Sequence, residues 1–179
     1  IPAIGVYLPI YHGTKEETLL IGVGHLENTS LPAGGESTHA VLSAHCGLPS
    51  ARLFTDLHLL KEGSLFRIHV LDETLTYQVY EIETVNPDDS SSLFIKEGED
   101  IATLITCTPY GKNTHRLLVH GKRIEENEDT FIEEPKIEKK MTWEDYIKIA
   151  AIGITVVFVL LLLGSAITAL IRRKNEKTD

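Results

Sequence analysis

A chain of 179 residues with 42% hydrophobic and 24% charged residues has room for one soluble domain and an appendage, and its bulk composition alone does not mark a membrane protein. The formal net charge of −9 argues against a nucleic-acid partner, which calls for a basic footprint. Two cysteines, Cys46 and Cys107, are too few for a small disulfide-built scaffold, so the core has to hold by packing and each thiol needs its own reason.

The first part of the chain carries strand signals. Candidate strands are Ile4 to Leu8, Leu19 to Leu26, His39 to Ala44, Leu65 to Leu71, Leu75 to Ile82, Ile101 to Cys107 and Arg116 to Val119, several of them rich in β-branched and aromatic residues. Turn chemistry separates them at Pro32-Ala33-Gly34-Gly35, Asn86-Pro87-Asp88-Asp89 and Pro109-Tyr110-Gly111, and Asp72-Glu73-Thr74 reads as a hairpin turn. Ser50 to Leu60 has room for one short helix with Ser50 as its cap. Many short strands with turns between them predict a closed barrel or a sandwich over residues 1–124.

Residues 125–146 read as a linker: Glu125 to Glu134 holds six acidic residues and no basic one, and Pro135 follows. Ile149 to Ile171 is 23 residues without a charge, long enough to cross a hydrocarbon core of ~30 Å, and it is apolar all round rather than amphipathic. A transmembrane helix is therefore expected over residues 147–171, with Trp143 and Tyr146 at the interface. Arg172, Arg173, Lys174 and Lys177 make the basic tail, residues 172–179, cytoplasmic. The domain is then extracellular, on a single-pass protein of the cell membrane. The sequence opens on Ile1 and shows no signal peptide, so it is compatible with N-terminal trimming.

Cys107 closes an apolar strand candidate just before a turn, where a thiol is rigidly held yet within reach; a small buried core residue is the bland alternative. Arg116 opens the next strand candidate. If residues 108–115 form a hairpin, the two become neighbours, and a guanidinium there can stabilise a thiolate or a developing oxyanion. A thiol at neutral pH is only a few per cent thiolate and wants a proton partner. Eight histidines could serve: His12, His25, His39, His45, His58, His69, His115 and His120. Spacing does not choose among them, although His45 sits at a strand-to-loop position and His39 would share its strand face. No zinc-finger spacing, H-E-x-x-H, G-x-S-x-G or P-loop occurs.

Thr103-Leu104-Ile105-Thr106-Cys107 resembles the T-L-x-T-C signature of sortases, in which an Arg follows the Cys by eight or nine residues, as Arg116 does. The stretches Gly24-His25-Leu26-Glu27, Thr38 to His45, Gly47 to Phe54 and Thr108-Pro109-Tyr110-Gly111 are similar to the class C branch, the pilin polymerases, and stand in family order. The resemblance covers residues 1–124. It implies an all-β fold, an eight-stranded barrel with short helices, beside the C-terminal transmembrane helix. It implies that His45, Cys107 and Arg116 are catalytic, and that the enzyme cleaves an LPXTG-like sorting signal through a thioacyl intermediate resolved by a pilin lysine. No cofactor and no metal are implied. The expected partners are pilin subunits or other surface proteins with a sorting signal, together with the lipid bilayer. Ser43 and Thr106 are substrate-contact candidates from their place beside the catalytic positions. The alternatives are a housekeeping sortase that anchors proteins to the cell wall and a non-catalytic surface binding domain. Two departures from the family stand out. Cys46 occupies the place of the usual Arg after the catalytic His, leaving open a structural thiol, a variant, or a partner for oxidation with Cys107. No Asp-Pro-aromatic lid motif occurs, so regulation by a lid is left undecided.

Overall fold

In the computed structural model, the described residues are 1–48, 51–125, 147, 151–153 and 155. They contain seven strands: β1 (Ile10–His12), β2 (Val23–His25), β3 (Thr38–Ser43), β4 (Leu65–Val70), β5 (Glu73–Val85), β6 (Asp100–Thr108) and β7 (His115–Ile124), with the short α-helix α1 (Glu16–Leu19) between β1 and β2. The strands form one sheet in the order β1-β2-β3-β6-β7-β5-β4. β3 and β6 are parallel neighbours at its centre, flanked by the antiparallel β6–β7 and β7–β5 pairs. The sheet is all-β and curled, a half-barrel of seven strands among the described residues where the resemblance implied eight.

The central strands are buried on both faces, which is why β3 and β6 read as nearly unbroken apolar runs. Alternation divides their side chains. Leu42, Ala102, Leu104, Leu117 and Val119 join Phe66, Ile68, Leu75, Tyr77 and Val79 in the main core, while Val41, Ile101, Thr103 and Leu118 are buried on the other side. Asp100 braces the core edge: it accepts hydrogen bonds from the Tyr77 hydroxyl and the Gly35 N–H, each at 2.9 Å. Burial and the Asp100 charge push the Tyr77 phenol up.

Three expectations change. Ile4 to Leu8 is not a strand: Pro2–Ile4 is a 3-10 turn closed by the left-handed Gly5, and the extended edge begins only after Pro9. Leu19 to Leu26 shrinks to β2, because the acidic pair Glu16-Glu17 starts a helical turn that consumes Leu19. The helix expected over Ser50 to Leu60 is reduced to the 3-10 turn Leu57–Leu59, since Leu53 takes a left-handed conformation that interrupts any longer run. The hairpin of Leu65 to Ile82 and the strands ending near Cys107 and starting near Arg116 fall where the pattern placed them, but the hairpin turns at Leu71-Asp72, with Glu73 and Thr74 of the expected turn already paired in β5. The linker and nearly all of the charge-free span Ile149 to Ile171 lie outside the described residues; among those that are described, no helix is long and apolar enough to cross a membrane. Residues 1–137 and 138–179 are separate compact units.

Candidate active site

The parallel register of β3 and β6, with Ser43 beside Ile105, continues past the end of β3. The Ala44 N–H donates to the Ile105 carbonyl at 3.2 Å, and the buried Thr106 hydroxyl donates to the Ala44 carbonyl at 2.7 Å. These bonds bring His45 level with Cys107. On the other side of β6, the antiparallel register sets Cys107 directly opposite Arg116. His45, Cys107 and Arg116 all line one groove of about 410 Å³. Ser43 and Thr106 line it too, though the Thr106 hydroxyl is committed to Ala44.

A larger cavity, about 800 Å³, is lined by Leu42, Phe54, Phe66 and Leu104. Leu42 and Leu104 are the strand neighbours of Ser43 and Ile105, so alternation turns this cavity to the other face, away from the two thiols.

The His45 backbone is fixed by a 3.1 Å hydrogen bond from the Phe54 N–H to its carbonyl. Its Nε2 lies 3.3 Å from Glu16 Oε1, within ion-pair range but not aligned as a hydrogen bond; no hydrogen-bond partner exists for this buried atom among the described residues. Arg116 Nη1 donates to the His115 carbonyl at 3.1 Å and to the Asn113 carbonyl at 3.4 Å, which orients the guanidinium along the hairpin.

Both thiols are free and half-buried. Burial pushes the Cys46 thiol up, and the neighbouring Cys107 and Asp56 charges push it further the same way. Cys46 is thus held neutral beside the groove. Gly47, which follows it, lies against the Tyr110 ring.

The structure also brings in residues that the sequence did not nominate. Glu16 comes from α1. Thr14, Leu19 and Leu26 form one wall of the groove, and Pro87, Asp88, Asp89, Ser90 and Leu93 of the β5–β6 connection form the other. Asn86 to Asp89 was legible only as a turn; nothing in it announced a groove. His39 does not reach the groove, because its side chain is buried further along the same face, within hydrogen-bond distance of Thr103. Among the described residues, no group of three or more His, Cys, Asp or Glu is placed to hold a metal ion.

These elements define a thiol protein of the curled-sheet kind, in which cysteine, histidine and arginine are presented from adjacent strand ends. The Sortase domain model matches residues 1–124, and the chain belongs to the sortase family. Sortase D of Bacillus subtilis (strain 168) is 30% identical over 127 residues, covering 69% of this chain and 61% of that protein. Sortase C-1 of Actinomyces oris superposes with a TM-score of 0.70 at 54% identity, covering 70% of each chain. Sortase C of Streptococcus pneumoniae superposes with a TM-score of 0.69 at 56% identity, covering 70% of this chain and 66% of that one. The structural neighbours are class C sortases; the chain spans less than two thirds of the length of the curated relatives it matches.

Proposed function

We propose that this chain is a membrane-anchored cysteine transpeptidase that cuts an LPXTG-like sorting signal and joins pilin subunits through lysine isopeptide bonds. The observation that carries the reading is the convergence of His45, Cys107 and Arg116 on one groove. The neighbour from Streptococcus pneumoniae is described by its pilin substrate specificity and one from group B Streptococcus as pilus-related, which supports pilin as the substrate.

The Cys107 sulfur attacks the threonine carbonyl carbon of the sorting signal. The Thr–Gly amide bond breaks, and a thioester forms as His45 protonates the departing glycine amine. Arg116 holds the peptide and stabilises the tetrahedral oxyanion. A lysine amine of the next subunit then attacks the thioester, forming the isopeptide bond and returning the thiol, with His45 taking up the amine proton. Ser43 and the groove-facing atoms of Thr106 contact the peptide in this reading. The bilayer anchor is the charge-free span Ile149 to Ile171, with the domain outside the cell.

The test is mass spectrometry of the protein after mixing with a sorting-signal peptide. A thioacyl adduct on Cys107 that a lysine-bearing pilin resolves to a covalent dimer is expected. An unmodified Cys107, or an adduct that only a peptidoglycan-like amine resolves, rejects the pilus-assembly reading.

A further inference from the structure

On the same face of the sheet as the groove, further along the strands and buried, a chain of hydrogen bonds runs across four strands and the β5–β6 connection. His39 Nδ1 is 3.0 Å from the Phe94 carbonyl, and its Nε2 is 2.6 Å from Thr103 Oγ1. Thr103 Oγ1 is 2.8 Å from His120 Nδ1, and His120 Nε2 is 3.1 Å from Glu83 Oε1. His39 and His120 are each 1% exposed and Thr103 is fully buried, so water does not complete the chain.

The chain can be counted in protons. Its ends, a carbonyl and a carboxylate, only accept. Between them stand two imidazoles and one hydroxyl, which bring three protons if both rings are neutral, and four bonds need four. The chain is complete only with one extra proton. The Glu83 carboxylate lies 3.1 Å from His120 Nε2 whereas His39 faces only a neutral carbonyl and a hydroxyl, so the extra proton sits at the His120–Glu83 end; burial of His39 works in the same direction. Thr103 then donates to His39 and accepts from His120.

One end of this chain bears on the groove. Phe94 belongs to the β5–β6 connection and directly follows Leu93, which lines the groove with Pro87, Asp88, Asp89 and Ser90. The other hydrogen bonds that tie this connection to the domain lie further along it, at Lys96 to the Tyr80 hydroxyl, at Gly98 to Ser37, and at Glu99 to Lys122 and the Thr38 N–H. Phe94 itself is 70% exposed, so its ring does little to anchor the wall. The carbonyl bond to His39 is the tie nearest the groove among the described residues.

We propose that His39, Thr103, His120 and Glu83 are positioning residues, a one-proton hydrogen-bonded strut that holds the β5–β6 wall of the substrate groove through the Phe94 carbonyl. The proposal rests on the transpeptidase reading for its substrate. It adds a role to residues outside the groove, which touch neither peptide nor thiol. The groups facing the strut are Tyr80, Glu81 and Glu83 from β5, Lys96 from the connection, His39 from β3 and Thr103 from β6.

The test compares Thr103→Val and Glu83→Gln with the unaltered chain, using a sorting-signal peptide. Thr103→Val keeps the shape and removes the central hydroxyl; KM rises roughly tenfold, while alkylation of Cys107 by a small reagent keeps its rate. Glu83→Gln supplies an amide N–H to His120 Nε2, so the strut closes without the extra proton. KM stays near the original value. Nitrogen NMR of the two rings shows three protonated ring nitrogens in the unaltered chain and two in Glu83→Gln. An unchanged KM in folded Thr103→Val, or two protonated nitrogens in the unaltered chain, overturns the proposal. If the unaltered chain forms no thioacyl adduct, the transpeptidase reading fails instead, and the nitrogen count still decides the strut.

Discussion

At the scale of single residues, the surroundings of Cys46 hold back its thiol. Cys46 is pushed up by burial first and by the Cys107 and Asp56 charges next. An upward shift delays the thiolate, so Cys46 reacts only at a higher pH than an ordinary exposed thiol. Iodoacetamide at pH 7.5 with peptide mapping is expected to label Cys107, with Cys46 following only as the pH is raised; preferential labelling of Cys46 would reverse the assignment. Cys107→Ala is expected to abolish peptide cleavage while leaving the circular dichroism spectrum unchanged, because the smaller side chain leaves the strand register intact. Arg116→Lys keeps the charge but loses the planar fork, and a drop of about 10²–10³-fold in turnover is expected from losing one such donor. A drop of less than about tenfold would show that charge alone suffices.

At the scale of elements, β7 is placed by a residue with no side chain. Gly121 faces the stacked rings of Phe66 and Tyr77, whose centroids are 5.4 Å apart, and a Cβ there would overlap the Phe66 ring. Gly121→Ala is therefore expected to destabilise the domain by about 1–3 kcal/mol, read as a lower urea midpoint at unchanged slope. A midpoint within error of the original would mean that the rings move aside. The sequence spoke clearly about the strands that carry the site, since β6 has a long apolar run, Leu117-Leu118-Val119 marks the start of β7, and a turn lies between them. It was misleading near the start of the chain. Ile4 to Leu8 and Leu19 to Leu26 are apolar enough for strands, but Gly5 and the Glu16-Glu17 helix start decide against that through local backbone preferences. The catalytic candidates were legible because a motif spans contiguous residues. Glu16 and the Pro87 to Leu93 wall were not, because only tertiary folding brings them to His45 and Cys107.

At the scale of the molecule, the proposed polymerisation on cells calls for the domain to stay near the surface where pilins emerge. The linker, residues 125–146, sets the limit: fully extended, it reaches about 75 Å, whatever its conformation. A sortase domain on such a tether acts only on subunits held at the same membrane. In the proposed reading the anchor is the charge-free run Ile149 to Ile171, whose length matches a bilayer and whose following Arg172, Arg173 and Lys174 favour the cytoplasmic side. The full chain is accordingly expected to remain with membranes in alkaline carbonate and to leave them in detergent. Protease added outside intact protoplasts should remove the domain while a tag placed after Asp179 stays protected. Extraction by carbonate would refute the span, and loss of the tag with the domain intact would reverse the orientation. Removing residues 147–179 separates chemistry from location: thioacyl formation with a free peptide should persist, while covalent pilin ladders on cells should fail. Ladders of normal length from the truncated chain would show that tethering contributes nothing to polymerisation.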